Sequence, residues 1–347
     1  MPNFNIYTSN RLEVLAEKLS VVIREPLASP MNREVICVQS RSMQHWLSME
    51  LAKMNGVCAN VKFVFPRMLI EEFINSILGV HGKTQFDIDV CTWEIMRVLP
   101  QMLEQPHFEV VSNFVGSPKD EFKLFQLAQK IAISFDEYLV YRPDKIITWE
   151  KNIPQEGNEA WQAMLFQKIK KEKKELTFPE LLLFCEQAID KKQIANVSLL
   201  PQRIAIFGIS FLPPLYLYAL QKMSDVLDIN FFAINPCREF WFDNTTYKKT
   251  TATVFTDQDD NIYDETQMTS DMENSLLGSL GVMGKSFFNL LIEVESRENV
   301  FFDTKIERKS LLANIQADIL ELHPDRETPQ LISHENQKSL TINSCHN

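Results

Sequence analysis

The strongest constraint on this chain is a set of short, uninterrupted apolar runs, each stopped by polar or turn residues. Val35-Ile36-Cys37-Val38 ends at Gln39-Ser40-Arg41-Ser42 and Ile204-Ala205-Ile206-Phe207 ends at Gly208, while a further strand, Ile229 to Ile234, apolar except at Asn230, ends at Asn235-Pro236. A strand wetted on one face alternates apolar and polar side chains, whereas a run apolar at every position is buried on both faces. Sheets of that kind are parallel and covered by helices.

Helical spacing supplies the covering layers. Leu12, Leu15, Leu19 and Val22 follow a short strand at Phe4 and Ile6, with Asn10 and Glu13 three residues apart as a capping box. Met43, Trp46, Leu47, Leu51 and Met54 follow Val38, and Asn55-Gly56 closes that helix. Ala59, Val61, Phe63 and Phe65 alternate up to Pro66, which suits a first helical turn. Another helix opens at Pro213-Pro214 and uses Leu217, Leu220 and Met223. Strands separated by helices predict an α/β fold with a parallel sheet.

From about 84 to 195 the period changes to helix alone, with Trp93, Met96 and Leu99, then Phe125, Ile131 and Phe135, then Trp161, Leu165 and Ile169, then Leu181, Leu182 and Cys185. An all-helical domain, 84–195, inserted in an α/β domain made of 1–83 and 196–347 is the expected organisation. The acidic stretch 247–275 is expected as a mobile surface loop. Helical spacing resumes over Phe287–Val294 and Leu311–Leu322, and Leu340 to Asn343 reads as a last strand. A core-type strand in that place suggests a piece of a longer protein.

Composition narrows function. The 347 residues, 45% of them hydrophobic, suffice for two to three domains with real cores. A net charge of −11 argues against coating duplex DNA by bulk attraction, but not against a confined, partly aromatic single-strand groove. Six cysteines lie far apart with no metal-ligand spacing, so no metal and no cofactor is expected. No basic leader followed by an apolar stretch, and no apolar run of membrane length, point to a reduced, cytoplasmic protein without a membrane partner.

Candidate chemistry is sparse. Ser279-Leu280-Gly281-Val282-Met283-Gly284-Lys285-Ser286 ends like a phosphate-binding loop, but Ser279 stands where the first glycine belongs and no strand precedes it. The junction after Val38 has neither glycine nor lysine, and Phe207 runs into Gly208-Ile209-Ser210 instead of an acidic magnesium pair. Asp136 and Glu137, with Asp144 and Arg142 nearby, could hold a metal, yet adjacent helical residues diverge. A structural or nucleic-acid-contacting role is favoured. Lys168 to Glu175 is the strongest basic cluster, and its interleaved glutamates favour a solvated helix face. Of the scattered histidines, only His45, beside Trp46, sits near a strand end.

Seven strings in order resemble the RecC family: TSNRLEVLAEKL (8–19), VQSRSMQHWL (38–47), FDEYLVYRPDK (135–145), FGISFLPPLYLYAL (207–220), NPCREFW (235–241), NSLLGSLGVMGKSF (274–287) and NIQADILEL (314–322). Together they span essentially the whole chain and match the first third of that family. The resemblance implies a RecA-like, superfamily-one helicase-like domain with its motor motifs lost. It also implies a non-catalytic subunit of a RecBCD-type, ATP-dependent exodeoxyribonuclease V, acting in double-strand break repair and homologous recombination. RecB-like and RecD-like motor subunits, single-stranded DNA and forked duplex DNA would be the partners.

The family's Chi-scanning tunnel maps onto the strings holding Gln39 to His45, Phe65 to Glu71 and Ile133 to Arg142. Gln39, Asp136 and Arg142 match its pattern. Arg41, His45, Phe65, Glu71, Ile133, Ser134 and Glu137 depart from the enterobacterial members, so the same Chi octamer is not implied. The residues expected at DNA are Gln39, Ser40, Arg41, His45, Phe65, Asp136, Glu137 and Arg142. Arg142 would pair a phosphate or guanine edge, Gln39 a base edge, and Phe65 would stack a base. The rival readings are a stand-alone NTPase using Lys285, a metal nuclease using Asp136 and Glu137, and a protein scaffold without DNA contact.

Overall fold

In the computed structural model, residues 3–79, 86–116, 120–151, 155–173, 176–242, 274–323 and 339–341 are described. Six parallel strands make one sheet: β1 (Phe4–Ser9), β2 (Glu34–Val38), β3 (Val61–Val64), β4 (Arg203–Phe207), β5 (Asp228–Ile234) and β6 (Arg297–Val300), in the order β3-β2-β4-β5-β1-β6. The fold is α/β with an all-parallel sheet, as the apolar runs predict.

Side-chain alternation explains those runs. Ile204 and Ile206 of β4 enter one core with Val35 and Cys37 of β2 and Phe231 of β5. Ala205 and Phe207 enter a second core with Ile36, Val38 and Phe232. Helices α1 (Leu12–Arg24) and α2 (Arg41–Asn55) cover the second face through Leu15, Leu19, Leu47 and Leu51. The opposite face is covered by α3 (Pro66–Leu78), α9 (Phe178–Asp190) and α10 (Pro214–Met223), together with α12 (Val282–Ile292). Both faces are dry, which is why Ile204 to Phe207 carry no polar residue, while Arg203 at the start of β4 pairs with Glu34.

Helices α4 (Ile88–Val98), α5 (Glu109–Val115), α6 (Glu121–Tyr141), α7 (Pro143–Glu150) and α8 (Asn158–Lys173) pack around a third core. Its centre is Trp149, fully buried against Phe135 and Phe166, with its indole N–H donating to Glu159 Oε1 at 2.9 Å. Among the described residues no strand lies between β3 and β4. Six α-helices, α4 to α9, are described in that stretch where the periodicity marks four, and the last of them, α9, sends Leu181, Leu182 and Cys185 into the core of the sheet.

Several local expectations are corrected. The Asn10–Glu13 capping box does not form: α1 is preceded by Arg11 with no side-chain cap, and the Asn10 amide instead donates to the Asp303 carbonyl at 3.1 Å. That contact fixes the segment after β6, an edge strand whose polar sequence Arg297-Glu298-Asn299-Val300 hides it from any apolar pattern. Leu340 and Thr341 are not in a strand, and 342–347 lie outside the described residues. Of the acidic stretch 247–275, residues 247–273 also lie outside them, while Asn274 caps α11 (Ser275–Leu280) by accepting from the Leu277 amide at 3.0 Å. Among the described residues the last α-helix, α13, spans Leu311–Leu320. Among the described residues no helix is long and apolar enough to cross a membrane.

Candidate nucleic-acid interface

Strand order places a crevice. The chain steps from β1 to β2 to β3 toward one edge, then from β4 to β5 back toward the other. Consequently α2 leaves β2 on one face and α10 leaves β4 on the opposite face. Between the carboxyl ends of β2 and β4 the connections diverge, which is where ligands lodge in open α/β sheets. A cleft of about 280 Å³ lies there, lined by Gln39 after β2, Arg67 after β3, Ile209 and Phe211 after β4, and Asp136 and Tyr141 from α6.

Arg67 organises the cleft. Pro66 starts α3 with its fixed φ, so the next side chain projects from the first turn toward the crevice. Its Nη1 donates to both Asp136 carboxylate oxygens, at 2.6 and 2.9 Å, and its Nε donates to Glu71 Oε1 at 2.9 Å. Asp87 Oδ1 stands 3.7 Å from Nη2. Burial works to lower the Arg67 pKa, but the hydrogen bonds to Glu71 and Asp136 outweigh it and hold the guanidinium charged well above its ordinary range. Tyr216, at the cleft floor, is pushed up to about 12 by burial and stays a neutral phenol. On the rim, the Tyr141 ring stacks on Phe211 with centroids 6.4 Å apart and is 48% exposed.

The structure gathers some expected residues and disperses others. Gln39, Asp136 and Glu137 line the cleft together. Ser40 is the cap of α2, its Oγ accepting from the Met43 amide at 3.2 Å. Arg41 and His45 are exposed on the first turns of α2, and Phe65 is exposed immediately before α3, so all three flank the strand ends without lining the cleft. Arg142 ends α6 and donates to Asp144, at 3.3 Å from Nε and 3.1 Å from Nη2. Sequence reasoning named neither Arg67 nor Tyr141. The available signals were the Arg67–Glu71 spacing of four and the aromatic residue beside Arg142.

The phosphate-loop decoy resolves into helix. Gly284, Lys285 and Ser286 lie inside α12, and Lys285 is buried there. Asp136 and Glu137 both reach the cleft, but the Asp136 carboxylate is bound to the Arg67 guanidinium. Among the described residues no group of three or more His, Cys, Asp or Glu side chains is placed to share a metal ion. Lys170, within the basic run, points inward between Glu150 and Glu180, whereas Lys168 and Glu172 form a surface pair.

Fold and crevice together define a doubly wound α/β protein with an ion-paired, aromatic-rimmed cleft at its switch point. The chain belongs to the RecC family: residues 4–322 match the family described as RecC, N-terminal domain. It is 33% identical over 400 residues to the RecBCD enzyme subunit RecC of Haemophilus influenzae, covering 99% of this chain and 35% of that protein. It is 33% identical over 342 residues to the same-named subunit of Escherichia coli, covering 91% and 30%, and 25% identical over 361 residues to that of Mycolicibacterium smegmatis, covering 99% and 30%. The chain thus spans about a third of the length of the curated relatives it matches.

Proposed function

We propose that this chain is a non-catalytic, DNA-guiding and scaffolding part of a RecBCD-type exodeoxyribonuclease V, acting in double-strand break repair and homologous recombination. In this reading it contacts single-stranded DNA and takes part in Chi scanning in the cytoplasm, alongside RecB-like and RecD-like motor subunits and forked duplex DNA. The sheet is the remnant of a RecA-like, superfamily-one helicase-like domain, 1–83 with 196–347, and 84–195 is its helical insertion, with α9 shared with the core of the sheet.

The observation that carries the reading is the cleft at the strand switch point. Its size, at the small end for ligand sites, suits one unstacked base and not a duplex. Arg67 is neutralised by carboxylates, so the cleft does not attract phosphate strongly. The Tyr141 face can stack a base, the Gln39 amide can pair a base edge, and the exposed Glu137 carboxylate can accept from a base amino group. The helical setting of Gly284 to Ser286 speaks against the NTPase alternative, and the Arg67 pairing of Asp136 against the nuclease alternative.

The test is photo-crosslinking of single-stranded DNA carrying halogenated bases to the assembled three-subunit complex. Gln39→Ala and Tyr141→Ala should each lower crosslinking to this chain severalfold, with ATP hydrolysis by the complex retained. Equal crosslinking in wild type and both variants would favour a scaffold without DNA contact.

A further inference from the structure

The cleft is walled by two parts of the chain with separate cores. Gln39, Arg67, Ile209, Phe211 and Tyr216 come from segments that follow or cover the sheet strands, whereas Asp136, Glu137 and Tyr141 come from α6. Helix α6 belongs to the helical core through Phe135 and Leu139, and its last turn also reaches the core of the sheet, through Val140. A groove is left open where the two parts meet.

Polar and aromatic ties complete the joint. At the cleft, Arg67 of α3 holds Asp136 of α6, and the half-exposed Tyr141 ring lies flat on Phe211 from the segment after β4. A further tie lines no part of the cleft: Lys170 of α8 pairs with Glu180 of α9 at 2.8 Å and with Glu150 of α7 at 2.5 Å. Lys170 and Glu150 stand on the helical side of the joint. Glu180 stands on the sheet side, because α9 sends Leu181 and Leu182 into the core of the sheet. Parts with their own cores, joined through small and partly polar contacts, move relative to one another by default.

Such a joint is coupled to whatever fills it. A ligand that touches both walls stabilises the closed arrangement by its own contacts, and a looser joint binds that ligand more weakly by the same factor. A base stacked on Tyr141 and paired by Gln39 touches one wall from α6 and one from the end of β2.

We propose that the cleft is a clasp: capture of an unstacked base locks the helical layer onto the sheet, and Arg67 is the positioning residue that holds the α6 wall in place. This rests on the reading that the cleft takes a base. It also makes the Lys170–Glu180 tie a determinant of base capture that never touches the base.

The test uses the assembled three-subunit complex and mixed-sequence single-stranded DNA carrying halogenated bases. Photo-crosslinking to this chain reports base capture, and hydrogen exchange in α8 and α9, which do not line the cleft, reports the joint. Bound DNA should slow exchange in both helices severalfold in wild type, and Tyr141→Ala should remove that slowing. Glu180→Gln keeps the capping box of α9, since glutamine also accepts there, but weakens the tie to Lys170. That variant and Arg67→Ala should each lower crosslinking severalfold, with circular dichroism unchanged. Wild-type crosslinking by Glu180→Gln, or exchange in α8 and α9 that DNA leaves unchanged, overturns the clasp and leaves base capture standing. A loss confined to Arg67→Ala would make Arg67 a direct contact and overturn its positioning role. A wild-type complex that gives no crosslink to this chain would instead sink the base reading, and the clasp with it.

Discussion

The Arg67 guanidinium, one residue into α3, donates to both oxygens of the Asp136 carboxylate on α6, at 2.6 and 2.9 Å. This pair ties the sheet's covering helix to the helical layer across the mouth of the cleft. Its partners are partly wet: the Arg67 side chain is 41% exposed and that of Asp136 17%. The pair therefore sits between the surface regime, where ion pairs contribute little, and the buried regime, where breaking one is severe.

Arg67→Ala strands the more buried partner, Asp136, so the expected destabilisation is about 1 kcal/mol after allowance for solvent screening. Asp136→Asn should cost a similar amount, and the double variant less than the sum. Urea unfolding of the four proteins measures the coupling. Strict additivity would show that the pair contributes nothing to holding the two layers together.

The Trp149 indole is the keystone of the third core, touching Phe135, Tyr138 and Phe166 and bonding Glu159. Trp149→Ala is expected to cost about 3–5 kcal/mol, the range for large aromatic truncations. Because that core is separate from the two cores of the sheet, the loss should appear as an earlier unfolding step of the helical layer. Hydrogen exchange would show it as faster exchange in α4 and α6 with the amides of β2 and β4 still protected.

What the sequence made legible followed burial. Strands β2, β4 and β5 were readable because two dry faces force apolar residues along their interiors, with Asn230 of β5, bonded to Asn5, the exception. Strand β6 was not, since an edge strand pairs by backbone and its side chains face water. The α1 cap failed for a related reason: Asn10 satisfies the Asp303 backbone, 293 residues away, and no local rule sees that partner. At the cleft, Gln39 and Asp136 could be named from their strings. For Arg67 the only local signal is Glu71 four residues on, whereas its place in the cleft comes from Asp136 and Asp87, brought to it from distant parts of the chain.

Gly208 follows β4 at the edge of the cleft with φ +63°, its amide donating to the Phe232 carbonyl at 3.0 Å. A Cβ there would stand 3.2 Å from Met43 Cε in addition to the left-handed backbone. Gly208→Ala should destabilise by about 1–2 kcal/mol, with the backbone term dominating because the methionine can yield. Gly56→Ala is the control, since its backbone is left-handed at φ +80° and its Cβ would meet nothing within 4 Å. Equal Tm losses in the two variants would isolate the backbone cost, and a larger loss at Gly208 would measure the crowding against α2.

Glu186 joins α9 to α10 by accepting from the Tyr218 hydroxyl at 2.5 Å and pairing with Lys222 Nζ at 2.6 Å. Burial acts to raise its pKa, but the Lys222 and Tyr218 contacts outweigh that and hold it below the ordinary glutamate range. A depressed folded-state pKa means that the folded chain binds the proton less readily than the unfolded chain. The Glu186 contribution is then full above the unfolded glutamate pKa and is lost as pH falls through the lower, folded value. Glu186→Gln should lower stability near neutrality by about 1 kcal/mol. The gap from wild type should close as the pH drops below about 4. Thermal melts of both proteins across that range provide the measurement, and a gap independent of pH would show that Glu186 acts there by packing and not by charge.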